Sequence, residues 1–172
     1  MHPHHALIER FYTHFQAREH AGMAACYHRD VRFSDPAFTD LRGWRAGAMW
    51  RMLCERAKDF ELTFSDIDAD DHKGVAHWEA RYTFSATGQK VHNIIDAQFT
   101  FRDGLIVTHD DRFDFYRWAS QALGFKGKLL GWLPPVQNAI RKQANGSLDA
   151  YISKRGLSAA DFGLGGEAAD GA

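Results

Sequence analysis

Four side chains have the type and spacing to move protons. Val31 and Phe33 alternate with Arg32 as in a half-buried strand, and this period carries Asp35 onto the apolar face. A carboxylate aimed into a pocket can serve as general acid or base. The same Ser34-Asp35-Pro36 is also ordinary turn chemistry, because Asp caps its own backbone and Pro fixes the next dihedral. In Ile106 to Tyr116, His109 and Asp111 share a face with Val107 and Phe113. They could be a base with its orienting acid, or members of a structural ion-pair network with Arg112 and Asp114. Asp96 lies in the apolar stretch Asn93-Ile-Ile-Asp96-Ala, where a carboxyl group tends to stay protonated and can donate a hydrogen bond.

Other chemistries lack their residues. Asp66, Asp68 and Asp70 have the alternate spacing of a calcium loop, but the sixth position is Asp71 instead of Gly and the twelfth is His77 instead of Glu, so a solvated hairpin loop is expected. There is no His-x-x-x-His, Cys-x-x-Cys, glycine-rich phosphate loop or Gly-x-Ser-x-Gly elbow, and no metal or organic cofactor is implied. The five tryptophans could line an apolar cavity or simply fill the core.

The positioning elements follow from periodicity. Helices are expected over His4 to Ala17, Ala21 to Tyr27 and Trp44 to Lys58, with the brief strand Val31 to Phe33 between the last two. From Phe60 the period changes to two. It gives strands Phe60 to Ile67, Val75 to Ser85, Lys90 to Phe101 and Leu105 to Phe115, joined by short turns as an antiparallel meander. Helices followed by a run of strands describe an α+β domain, a cone-shaped curved antiparallel sheet covered by three N-terminal helices, over residues 1–117.

Residues 118–156 read as a C-terminal helical extension, with an apolar stripe at Val136, Ile140, Ala144, Leu148 and Ile152 and a weak point at Asn145-Gly146. Residues 117–155 hold seven Lys or Arg against one acidic residue, Asp149. This extension could meet an anionic membrane surface, or pack on its own domain or a twin subunit with a solvated basic face. Residues 157–172, rich in Gly and Ala, are expected to be a disordered tail. A net charge of -1 argues against nucleic acid as partner. The isolated Cys26 and Cys54 fit buried free thiols, and with no apolar run of membrane-spanning length a cytoplasmic location is expected.

The order of elements resembles the nuclear transport factor 2-like superfamily and, within it, the SnoaL-like and ketosteroid-isomerase-like proteins. The chain from Ile8-Glu-Arg-Phe to Ser34-Asp35-Pro36 runs without a gap against the isomerase pattern. The resemblance places the proton-shuttling aspartate at Asp35 and the protonated oxyanion-hole aspartate at Asp96; in ketosteroid isomerase these two carboxyls are tuned to opposite protonation states. The oxyanion tyrosine would fall on Phe11, beside Tyr12. Ile106 to Asp114 is similar to the last strand of SnoaL-like proteins and limonene-epoxide hydrolases, whose catalytic aspartate would be Asp111; the hydrolases' Arg-x-Asp pair is not reproduced, since the matching strand reads Trp78-Glu-Ala80 or Glu79-Ala-Arg81. The resemblance thus implies catalytic Asp35, Asp96, His109 and Asp111, with Phe11, Tyr12, Trp50, Trp78, His92 and Asn93 against a small apolar ligand. It also implies a homodimer. The activity it suggests is an isomerase or lyase moving a proton next to a carbonyl; a non-catalytic ligand-binding or protein-interaction module of the same fold is the alternative.

Overall fold

The computed structural model describes residues 1–164. Helix α1 (Pro3–Gln16) starts where the His2 ring accepts the His4 N–H, with Pro3 at the first helical position, where a missing N–H costs nothing. Its inward stripe, Leu7, Ile8, Phe11, Tyr12 and Phe15, is buried as the spacing requires. Helix α2 (His20–Ala25) is short and gives way to strand β1 (Tyr27–Ser34), which starts four residues earlier than expected. A two-residue strand β2 (Leu41–Arg42), which periodicity cannot reveal at that length, precedes α3 (Trp44–Arg56). Then come β3 (Glu61–Ala69), β4 (Lys73–Phe84), β5 (Gln89–Arg102) and β6 (Leu105–Arg112).

The six strands form one sheet in the order β2-β1-β6-β5-β4-β3. One pairing corrects the all-antiparallel expectation: β1 lies parallel to β6, with Phe33 level with His109 and Ser34 with Asp110. Such a pair needs a long crossover, here the whole of α3 through β5, so local turn signals could not announce it. The β4–β5 ladder is continuous from Lys73↔Thr100 to Phe84↔Gln89. Period two therefore sends Val91, Asn93, Ile95, Ala97 and Phe99 to the concave side, where they are buried against the helices. The core fills the space between that concave face and helices α1 to α3. Cys26 and Cys54 are both free and buried.

β6 ends at Arg112, and Asp114 caps helix α4 (Phe115–Ala122) by accepting the Arg117 N–H, which takes it out of the expected ion-pair network. After α5 (Phe125–Leu130), helix α6 (Pro134–Arg155) runs unbroken through Asn145-Gly146. It packs on its own domain. Leu148 is fully buried, Arg45 pairs with Asp149 at 2.6 Å, and the Tyr151 hydroxyl donates to Glu55 at 2.6 Å. Beyond it Phe162 is buried, stacked on Trp44 with ring centroids 5.9 Å apart, so residues 157–164 are held against the domain rather than forming a free tail. The remainder of the expected tail, 165–172, lies outside the described residues. No helix of the described chain is long and apolar enough to cross a membrane.

Burying Leu148 ties α6 to the core, so Leu148→Ala is expected to cost about 2–5 kcal/mol. Urea unfolding should show one transition shifted to lower denaturant; an unchanged main transition would mean that α6 folds apart from the domain.

Candidate functional site

Asp35 follows the last residue of β1, and both readings of its sequence context hold. Its Oδ1 accepts the N–H groups of Ala37 (2.7 Å) and Phe38 (2.6 Å), while its own N–H donates to the Phe38 carbonyl at 2.8 Å, a turn closed by the side chain. Its Oδ2 has no protein partner among the described residues, and the side chain lies at the wall of a cavity of about 490 Å3. Burial pushes the Asp35 carboxyl up to about 7; the Phe38 N–H opposes this, and the charge of Asp111 adds to it.

Asp111 reaches the same cavity by way of strand register. With Ser34 level with Asp110 in the parallel β1–β6 pair, the next residue of each strand is a carboxylate, and both face one space. Asp111 is held by a buried hydrogen-bond chain. Trp50 Nε1–H donates to the Tyr27 hydroxyl (2.8 Å), which leaves Tyr27 to donate its hydrogen to His109 Nδ1 (2.7 Å). That pattern assigns the hydrogen of a neutral imidazole to Nε2, from which His109 donates to Asp111 Oδ1 at 2.9 Å. Trp78 Nε1–H donates to the same oxygen at 3.3 Å. Oδ2 of Asp111 again has no protein partner among the described residues, and the side chain borders the cavity. His109 is sealed behind Asp111, with no side-chain exposure, so it orients the carboxylate and does not reach a ligand.

The remaining sequence-predicted residues divide between cavity, core and outer surface. Trp50, Trp78 and Asn93 line the cavity. Phe11 and Tyr12 do not: both are wholly buried in the core, Phe11 edge-on to His109 with ring centroids 5.4 Å apart. The Tyr12 hydroxyl has no hydrogen-bond partner among the described residues. Asp96 and His92 occupy even positions of β5 and project from the convex face, away from the cavity. Asp96 has a side-chain exposure of 80% and pairs with His77 Nδ1 at 2.8 Å; His92 Nε2 contacts Glu79 at 2.5 Å. Of the apolar neighbours that suggested a protonated Asp96, Ile95 and Ala97 face the other side of the strand, because alternation separates them, and Ile94 beside it is itself exposed.

Tyr82, Phe113 and helix α6 join the cavity without having been expected there, and Trp118 is one of the tryptophans that could line it. Tyr82 follows Trp78 and Ala80 on the concave side of β4, a signal that period two did contain. Its oxygen accepts Trp118 Nε1–H at 2.8 Å, so its own hydrogen is free for a ligand, and burial raises its ionisation to about 12. Phe113 and Trp118 add aromatic wall beyond β6. Helix α6 closes the cavity with Ile140, Gln143, Ala144 and Ser147. It also holds the Asp35 turn: Arg141 Nε donates to the Pro36 carbonyl (2.8 Å) and Asn145 Nδ2 to the Ala37 carbonyl (3.3 Å). The helix that sequence set apart as an extension is a wall of the site. Among the described residues, no group of three or more His, Cys, Asp or Glu is arranged to hold a metal ion.

An apolar cavity with two unpartnered carboxylate oxygens, one phenol donor, the Asn93 and Gln143 amides and the Arg56 guanidinium on its lining can bind a small, mostly apolar molecule by a few polar atoms and exchange protons with it. Comparison with solved structures finds this architecture elsewhere. An epoxide hydrolase of M. tuberculosis, of the limonene-epoxide-hydrolase-like kind, is 23% identical, with a TM-score of 0.57 over 76% of this chain and 92% of its own. An NTF2-like protein of unknown function from Burkholderia pseudomallei is 18% identical, with a TM-score of 0.62 over 71% of this chain and 98% of its own. A protein of ketosteroid isomerase-like fold from Catenulispora acidiphila, solved with trimethylamine, is 9% identical, with a TM-score of 0.61 over 74% and 97%. No curated protein matches the chain. The model of the SnoaL-like domain matches residues 8–109, from helix α1 to the histidine behind Asp111. The chain therefore belongs to the SnoaL-like domain family, in the fold of the nuclear transport factor 2-like proteins.

Proposed function

We propose that the chain is an enzyme that moves a proton next to a carbonyl of a small apolar ligand, an isomerase or lyase using only its own side chains. The carrying observation is the pair Asp35 and Asp111, each next in chain after the paired Ser34 and Asp110 of the parallel β1–β6 ladder and both at one cavity, with Asp35 poised near neutral pH. A base whose ionisation lies near the working pH combines availability with driving force. Asp35 Oδ2 takes the proton from the carbon beside the carbonyl, and the charge that develops on the carbonyl oxygen accepts the free Tyr82 O–H. Asp35 then returns the proton to another carbon of the conjugated system, or the leaving group departs. Asp111 Oδ2 accepts a hydrogen bond from a second polar group of the ligand, and His109 keeps it aimed. Asn93 and the walls of Trp50 and Trp78 hold the apolar body.

Epoxide hydrolysis is not supported, because on the stretch of β4 that matches the hydrolases' Arg-x-Asp the concave face carries Trp78 and Ala80, while Glu79 and Arg81 point outward. A non-catalytic ligand-binding module is favoured by one pair of facts: Phe11 stands where the isomerases carry tyrosine, and Asp96 faces outward. The two readings separate in one variant. On a panel of unconjugated cyclic enones followed by the absorbance of the conjugated product, Asp35→Asn should lower kcat by roughly 10²–10⁴-fold while ligand binding persists. Turnover unchanged in Asp35→Asn, or absent in the parent across the panel, removes the proposal. In the parent, kcat/KM should rise with pH to a plateau above about 7, the range in which Asp35 ionises.

The same ionisation bears on stability. Folding raises the Asp35 carboxyl from 3.8 to about 7, so between these values the folded chain holds a proton that the unfolded chain has released. The contribution is full below about pH 4 and is lost as pH rises through 7. Asp35→Asn keeps an oxygen for the Ala37 and Phe38 N–H groups but cannot ionise. It should therefore melt higher than the parent at pH 8 and with it at pH 4; an equal difference at both values would show that ionisation is not the cause.

A further inference from the structure

Helix α5 and the turn after it leave large apolar side chains in water. Phe125 is 75% exposed, Trp132 61%, Leu129 54% and Leu130 45%. Phe125 and Leu129 are one helical turn apart, and Trp132 Nε1–H donates to the Leu129 carbonyl at 3.1 Å, so these residues form one row. The row cannot roll inward. Gly127 seats the opposite face of α5 directly on Ala119 of α4, where any Cβ would collide with the Ala119 carbonyl, and the Tyr116 hydroxyl on α4 donates to the Lys128 carbonyl at 2.8 Å.

Charge tells what covers the row. Lys126 and Lys128 flank it, and from Phe115 to Leu148 the chain carries Arg117, Lys126, Lys128, Arg141 and Lys142 with no acidic residue, although its net charge is only -1. A second copy seated symmetrically on this face would set each lysine pair against its twin, a like-charge contact. A surface that is anionic outside and apolar a few ångströms in takes the lysines at its headgroups and Phe125, Leu129, Leu130 and Trp132 beneath them.

We propose that α5 and Trp132 dock the protein on an anionic lipid surface, as an interfacial contact without a membrane span. The contact is narrower than the basic extension as a whole, since α6 is committed to the domain. Leu123, two residues before α5, lines the cavity, so docking holds the cavity wall close to the lipid.

The test is sedimentation of the full chain with vesicles of phosphatidylcholine alone and of phosphatidylcholine with phosphatidylglycerol, at low and high salt. The parent should pellet with the anionic vesicles at low salt and roughly fivefold less at high salt, as screening of lysine–headgroup attraction requires. Phe125→Ser/Leu129→Ser/Trp132→Ser, at exposed positions, should stay folded and remain in the supernatant; Lys126→Gln/Lys128→Gln should lose the preference for anionic vesicles. No pelleting of the parent at low salt overturns the proposal, as does equal pelleting of the triple serine variant. A parent dimer that the triple serine variant converts to monomer, without lipid binding by the parent, overturns it in favour of a second copy.

Discussion

The hydrogen-bond chain from Trp50 through Tyr27 and His109 to Asp111 joins a helix and two strands with groups that cannot be left unpaired. A buried donor or acceptor without a partner costs on the order of 1–3 kcal/mol, so each member holds its neighbour in one orientation. Trp50 belongs to α3, Tyr27 to β1, His109 and Asp111 to β6, and Trp78 adds a second anchor from β4. The direction of donation is set at one end, because an indole can only donate. Everything downstream follows: the tautomer of His109, the oxygen of Asp111 that is occupied, and the oxygen turned to the cavity.

Asp35 is set by a different device. Its Oδ1 is spent on the turn that it closes, which fixes the carboxyl plane and leaves Oδ2 for the cavity. The carbonyls of that turn are gripped from outside by Arg141 and Asn145. Helix α6 lies beyond the region matched by the family model, which ends at residue 109, yet it lines the cavity and braces this acid. Much of what sets this chain's cavity apart from a bare cone resides in that helix.

Much of the fold was legible because its elements obey simple periods. The stripes of α1 and α3, the period of two from β3 onward, and the step of four along α6 all report which face meets the core. The chemistry was partly legible for the same reason. The alternation Val31, Phe33, Asp35 aims Asp35 inward, and His109 shares its face with Asp111. The reading of Asp96 failed where composition was weighed above alternation: its apolar neighbours Ile95 and Ala97 face the core, which leaves Asp96 itself on the convex surface.

The residue pattern alone was enough for the stripes of α1 and α3, the four strands from β3 onward and the facing of Asp35, His109 and Asp111, because these depend on contacts a few residues apart. Only the tertiary structure decided that β1 runs parallel to β6, which brings Asp35, just past the end of β1, and Asp111 to one cavity. Only it showed that α6 walls this cavity, and that α5, seated on α4 by Gly127, turns its apolar row to the solvent. Those arrangements join segments up to about a hundred residues apart, as in the Arg141–Pro36 contact. They are fixed by pairing and packing that leave no local period in the chain.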